Sequence, residues 1–417
     1  MEFAIALLIG FLAFYFGLDL FWRIQLFPPL ESLRQGRIHY LLLGVLLGMF
    51  FPEEDLLFRF FEEFRYSLIG ILLVWVGFQA GLDLDLQRFR TTPASETVSQ
   101  TIQVLIGFLL VFLMVLLATP ILKRHLGLQE NTALVAALLA CFVLPIRAPE
   151  PVFRWRSKTF SPPRDTAIKH APGNALSLIL VGGVFALFTP VHGVQFGTFL
   201  FGRGPGVLLL MVGLGLLMGV AFDFIFRAHP NGVVSMLLSG GMMAVLGSPC
   251  TGLKIPGLFV GFLGGMWLIN TTVRKREVLE LADRTHAFVC PVFYILLGSV
   301  IGGYGGGPFF QIAPLVPFGV ALFLVRGLVR MLSLTIANRI WGPSYPRRSI
   351  LEISGLPMNY LSVAIAVQGL YLGLGLTHNT LIAGALVAVF LSQACLFPPG
   401  RKKPPGHRPL PTAPTQT

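Results

Sequence analysis

Residues 131–155 read NTALVAALLACFVLPIRAPEPVFRW. The run from Asn131 to Leu144 is apolar enough for a membrane helix. The residues after it set Pro145, Pro149 and Pro151 beside Arg147 and Glu150. Proline removes a backbone donor and clashes with the preceding turn, so it kinks or ends a helix. A second interruption, Gly355-Leu356-Pro357, lies inside EISGLPMNYLSVAIA at residues 352–366. Backbone opened within a bilayer survives only where protein or a water-filled cavity satisfies its amides and carbonyls. Interrupted helices in matching places of two halves point to a transporter binding site. Taken alone, the prolines also fit a plain helix end entering a loop; the second break favours interruption.

The rest of the chain has the composition that such a protein needs. It is 54% hydrophobic and only 12% charged, too little charge to cover a soluble domain of this size. A helix needs roughly 20 apolar residues to cross the hydrocarbon core. Runs of that kind fall at 3–22, 38–52, 64–82, 101–121, 131–150, 169–190, 205–225, 231–249, 253–271, 286–303, 312–337, 349–373 and 378–397. They predict an all-α polytopic membrane protein of about 13 transmembrane helices. The spans at 38–52 and 286–303 are short. The two interrupted spans are an odd number of spans apart and so run in opposite directions, which predicts two inverted repeats.

The net charge of +12 does not imply a nucleic-acid partner, because the basic residues are dispersed over short loops, as membrane topology requires. Some loops carry Arg154, Arg156, Lys158, Arg164 and Lys169, or Arg274, Lys275, Arg276 and Arg284, or Arg401, Lys402, Lys403 and Arg408. The alternate set carries only Arg59, Arg65, Lys123, Arg124, Arg203 and Lys254. The richer side is expected to be cytoplasmic, with the N-terminus outside and the C-terminus inside an inner (plasma) membrane. Residues 1–22 lack a basic n-region and a small-residue cleavage site and read as a retained span. Residues 398–417, rich in proline and basic side chains, read as a disordered cytoplasmic tail.

No enzyme, cofactor or metal reading is expected. Cys141, Cys250, Cys290 and Cys395 fall in or beside spans, form no C-x-x-C pair, and read as apolar filler. Gly213, Gly215 and Gly219 permit close helix packing. They are not a phosphate loop, since no Lys-Ser/Thr follows them.

Several stretches resemble one family in order and spacing. RIHYLLLGVLLGMFFP (37–52) precedes LIGILLVWVGFQAGLDLDLQRFR (68–90), which closes on Gly81-Leu82-Asp83-Leu84-Asp85-Leu86. FVCPVFYILLGSVIG (288–302) and LVRGLVRMLSLTIANRIWG (324–342) follow later. Together they resemble the monovalent cation:proton antiporter superfamily, the sodium/hydrogen exchanger-like transporters, over roughly residues 25–395. The resemblance implies a dimerisation domain (1–100 and 229–308), a mobile core domain (101–190 and 309–397) with two discontinuous crossing helices, a connector span (191–228), and a homodimer.

It also implies site residues. Ala148-Pro149-Glu150-Pro151-Val152 stands where the family often has Ala-Thr-Asp-Pro-Val, so the acid is retained as Glu150. Gly173-Asn174-Ala175-Leu176 stands where the family has a pair of Asn-Asp or Asp-Asp before Ala-Leu. The ion-binding, proton-carrying aspartate of that family falls on Asn174, and the expected carboxylate is missing. The family's basic residue falls on Arg330, with Arg326 one turn earlier.

An ionised side chain deep in a membrane protein is costly and usually functional. Arg147, Glu150, Arg326, Arg330 and Glu352 are the candidates. Arg326 and Arg330, spaced i, i+4, share a helix face and need an anion, for which Glu150 is the expected partner. Glu150 is then the titratable group shared by cation and proton. Arg330 holds the site when the cation is absent, Asn174 offers a carbonyl oxygen, the breaks at Pro149, Pro151, Gly355 and Pro357 free backbone, and His170 and Glu352 line a funnel. Simpler placements stand beside these. Arg147 and Glu150 fit a snorkelling interface position, Arg326 and Arg330 fit helix-end carbonyls, and His170 fits a solvated interface. Asp83 and Asp85 fit caps at the inner end of the span at 64–82, and Asp223 with Arg227 a structural i, i+4 pair at an inner helix end. The leading functional expectation is exchange of Na+ or K+ for protons. The alternatives are a non-transporting regulator or partner subunit, or transport of an anion or organic solute.

Overall fold

The computed structural model describes residues 38–50, 56–89, 94–126, 137, 139–141, 164–188, 205–228, 232–253, 255–303, 315–341, 360–371, 387–389 and 391. The expected span at 3–22, both helix breaks and the tail lie outside them. The described residues are helical apart from short connections, with no strand among them. In chain order the helices are α1 (Ile38–Phe50), α2 (Leu56–Leu82), α3 (Ala94–Leu126), α4 (Arg164–Phe188), α5 (Pro205–Ala228), α6 (Gly232–Gly252), α7 (Gly257–Thr271), α8 (Lys275–Gly303), α9 (Leu315–Trp341) and α10 (Tyr360–Tyr371). A single turn, Leu86–Phe89, follows α2.

Three stretches, Thr97–Ala118, Gly206–Ala228 and Pro317–Ile340, are each long and apolar enough to cross a bilayer. The chain is a multi-pass membrane protein. Several helices run beyond the apolar stretches that predict them. α8 begins at Lys275 rather than near residue 286, α2 at Leu56 rather than near 64, and α3 at Ala94 rather than near 101. The added turns are amphipathic and charged. In α8, Val278 and Ala282 are buried while Arg276 and Glu280 pair with each other on the exposed face, Nε to Oε1 at 3.0 Å.

α2 and α7 pack closely, and glycine is the reason. A Cβ on Gly77 or Gly81 of α2 would overlap the Leu258 or Phe262 carbonyl oxygen of α7. A Cβ on Gly261 or Gly265 of α7 would overlap the Val74 or Phe78 carbonyl oxygen of α2. Each helix thus brings a Gly-x-x-x-Gly face to the other, which lets two backbones approach without intervening side chains. α5 joins the same block: a Cβ on Gly215 would stand 2.6 Å from Leu263 Cβ, and one on Gly219 2.7 Å from Trp267 Cδ1. Gly213 has open space beside it, so of the expected glycine series only the i, i+4 pair lies in this contact. α1 and α8 repeat the device, Gly44 against the Ile295 carbonyl and Gly298 against that of Leu41.

Polar braces fasten one end of this block. Asn270 Nδ2 donates to the carbonyls of Met266 (2.7 Å) and Leu84 (3.0 Å), and its Oδ1 accepts from Leu86 N–H at 2.8 Å. Asp85 Oδ1 accepts from Gln87 N–H at 3.1 Å and from Lys275 Nζ at 2.9 Å. Asp85 therefore caps the start of the turn after α2 rather than the end of α2 itself. The Asp223–Arg227 pair also forms, Arg227 Nη2 to Asp223 Oδ2 at 2.7 Å, near the C-terminal end of α5.

Candidate functional site

α9 is amphipathic in the sense opposite to a soluble helix. Arg326 and Arg330 are 1% and 2% exposed, and Ser333 and Ala337 are buried with them. Leu324, Leu328, Met331 and Leu332 are exposed. The spacing 326, 330, 333, 337 is one face of a 3.6-residue helix, and this face points into the protein. The apolar residues face outward, where lipid is the solvent, so the burial of the guanidinium groups follows from the medium.

α3 has the same pattern. Ser99, Gln100, Gln103 and Val104 are buried, whereas Leu105, Leu109, Leu113 and Leu117 are exposed. α3 packs along α9 and also against α4. A Cβ on Gly173 of α4 would lie 3.4 Å from Val104 Cγ2 of α3, which fixes the level at which these two helices meet. Asn174, the next residue, is partly buried. Ser177, one turn on, is fully buried and donates Oγ–H to the Gly173 carbonyl at 2.9 Å. α3 is thus a shared neighbour of the helix bearing Arg326 and Arg330 and of the helix bearing Asn174.

The two arginines are one turn apart. At an effective dielectric of ~20, unit charges ~6 Å apart repel by roughly 3 kcal/mol. Such a pair calls for compensating negative charge or acceptors. Among the described residues no fully buried side chain is a carboxylate. Ser333 Oγ–H donates to the Arg330 carbonyl at 3.1 Å, a bond made to its backbone and not to its guanidinium. Glu150, Glu352, Arg147, Pro149, Pro151, Gly355 and Pro357 lie outside the described residues. His170 lies in α4, with its side chain outside the described set.

Sequence reasoning passes over several buried amides. Gln100 and Gln103 belong to the polar face of α3. Gln79 of α2 donates Nε2–H to the Ala282 carbonyl of α8 at 3.2 Å, and its Oε1 lies 2.6 Å from His286 Nδ1. Gln368 of α10 is 1% exposed and accepts from Leu258 N–H at 3.1 Å. The only signal for them is a lone polar letter in an apolar run, as in TIQVLIGF, VWVGFQAGL and SVAIAVQGLY. Cys141, Cys250 and Cys290 are buried thiols outside any disulfide among the described residues.

No protein-family model and no curated protein sequence matches the chain. Similarity appears at the level of solved structures. The chain is similar to the sodium proton antiporter MjNhaP1 from Methanocaldococcus jannaschii, in its structure at pH 8, with a TM-score of 0.58 at 18% sequence identity. The match covers 95% of this chain and 99% of that one, so the two share a fold over nearly their whole lengths.

Proposed function

We propose that the protein is a secondary active transporter that exchanges a monovalent cation, Na+ or K+, for protons. The observation that carries this reading is the buried Arg326–Arg330 face of a lipid-exposed helix, within a fold shared with a sodium proton antiporter. Charge at that depth is retained where ions are handled. In this reading Glu150 takes up either the proton or the cation. Arg330 neutralises Glu150 when the cation has left, Arg326 sets the local potential, and Asn174 and the carbonyls freed at Pro149, Pro151, Gly355 and Pro357 complete the coordination. His170 and Glu352 line the approach.

Alternating access follows from sliding a core domain (101–190 and 309–397) against a dimerisation domain (1–100 and 229–308), with 191–228 between them. The packing supports the division. α1 with α8, and α2 with α7, are interlocked through glycine, while α3 groups with α4 and α9. α5, in the connector, lies against α7. The protein is proposed to be a homodimer in the inner membrane, N-terminus outside and C-terminus cytoplasmic.

A second reading rests on Asn174. An amide cannot carry a proton, and a positive site without that carboxylate suits an anion or an organic solute; a partner subunit that has lost transport is the limiting case. Reconstitution separates them. In proteoliposomes with an imposed pH gradient, Na+ or K+ is expected to dissipate the gradient, read by a pH-sensitive dye, and Glu150→Gln to abolish the response. An unchanged response in Glu150→Gln removes Glu150 from the mechanism. A wild type that dissipates the gradient only with anions establishes the second reading.

A further inference from the structure

The first turn of α7 lacks a cap of its own. Pro256 precedes it and supplies no side-chain hydrogen bond. The Phe259 and Val260 amides turn back to the Pro256 carbonyl at 3.0 and 3.2 Å. The Leu258 amide is instead bound from another helix, by Gln368 Oε1 of α10 at 3.1 Å. A helix leaves its first amides without intrahelical partners, and here a residue distant in sequence serves one of them.

Gln368 is placed for more than capping. α10 is buried nearly all round: Leu361, Ser362, Val363, Ala364, Ile365 and Val367 are each at most 2% exposed. Gln368 is itself buried, and its Nε2 has no hydrogen-bond partner among the described residues. A buried donor left unmade costs roughly 1–3 kcal/mol. One half of this amide is satisfied and the other is not among the described residues. α10 lies against α2 and α7 more sparsely than those two lie against each other. The neighbouring residue of the same turn, Phe259, sits on α4, where a Cβ on Gly182 would come within 2.6 Å of its ring. The start of α7 thus touches both α10 and α4, helices of the proposed core domain.

We infer that Gln368 is a latch. Its bond to the Leu258 amide holds α10 in register with α7 in this conformation and breaks when α10 slides. Gln368 is a positioning residue, not an ion ligand, and the inference rests on the alternating-access reading above. Two substitutions act in opposite directions. Gln368→Met keeps length and bulk but removes the acceptor. Gln368→Glu keeps an acceptor oxygen for the Leu258 amide, and the positive end of α7 offsets part of the cost of burying its charge.

The test uses the full chain in lipid nanodiscs, read by amide hydrogen exchange, and in proteoliposomes, read by cation-driven proton flux. In Gln368→Met, the Leu258 amide and the amides of α10 are expected to lose protection together, by about tenfold. The turnover rate is expected to rise with little change in KM. Gln368→Glu is expected to keep protection and lower the turnover rate. Unchanged protection at Leu258 in Gln368→Met overturns the latch. So does loss confined to α7, which marks a simple cap, and so does an unaltered turnover rate in a loosened protein. If Gln368→Met does not fold, the slowing by Gln368→Glu decides. A wild type without cation:proton exchange defeats the transport reading, and the latch is then decided by whether α7 and α10 loosen jointly.

Discussion

The glycine-lined block around α2 and α7 and the polar-lined group of α3 and α9 solve opposite problems in one bilayer. In the first, side chains are removed so that two backbones lie against each other, and the resulting register leaves little room to shift. In the second, long polar side chains are kept and turned inward, with leucines outside. Lipid offers no hydrophobic drive to press helices together, so association depends on close packing or on polar contacts. The protein uses each means in a different place. The block built by close approach suits a fixed frame, and the group built around buried arginines and amides suits the site.

The largest expected effect breaks the frame. Gly81→Leu or Gly265→Leu drives a side chain into a facing backbone carbonyl. Overpacking costs about 1–3 kcal/mol where neighbours can yield, and backbone yields least. Loss of monodisperse protein on size-exclusion chromatography is expected. Gly213→Ala and Gly240→Ala, which meet nothing within 4 Å, should leave the protein folded and raise its melting temperature slightly, since alanine is the better helix former by roughly 1 kcal/mol. Equal tolerance at both kinds of glycine would show that close backbone approach does not hold α2 and α7 in register.

Next comes the site. Arg330→Met is expected to give folded protein at a clearly lower melting temperature, because removing one partner of a buried charge pair costs roughly 3–5 kcal/mol. Proton flux should nevertheless fall by at least about tenfold, as befits a functional intramembrane charge. Retained flux would make Arg330 a structural residue. Smaller again is Lys275→Ala, which removes the 2.9 Å contact to Asp85. A stability loss of about 1 kcal/mol is expected by thermal unfolding, near the upper end for a partly exposed ion pair. Smallest is Arg276→Ala: its partnership with Glu280 has side chains 90% and 51% exposed, and no measurable change in melting temperature is expected.

Much of the frame is legible in the sequence, because an apolar run of fixed length is what a bilayer demands. The run at 312–337 predicts α9, and the helix spans Leu315–Trp341. Legibility fails where a helix leaves the hydrocarbon. The Lys275–Thr285 turns of α8 follow a charged amphipathic pattern that an apolar window cannot see. Within the site, Arg326 and Arg330 can be read because two charges at i, i+4 in an apolar run mark a face that must be shielded from lipid. Gln103 and Gln368 cannot, since a single amide in such a run does not say which helix it will meet. That information lies in the packing, as the 110-residue separation of Gln368 from Leu258 shows. The glycines are half legible. Gly215 and Gly219 stand out together with Gly213, and only the four-residue spacing sorts the two that touch α7 from the one that does not.

The inverted polarity of α9 also bears on how the chain is made. An arginine at the centre of a segment entering the membrane from the translocon costs roughly 2.5–3.5 kcal/mol, and each leucine, valine or phenylalanine returns only about 0.3–0.6 kcal/mol. With two arginines on one face, α9 is close to balance as a solitary segment and gains little by partitioning alone. A neighbour made earlier that already presents a polar face offsets part of that cost, and α3, which packs on α9 with Ser99, Gln100 and Gln103 buried, has such a face.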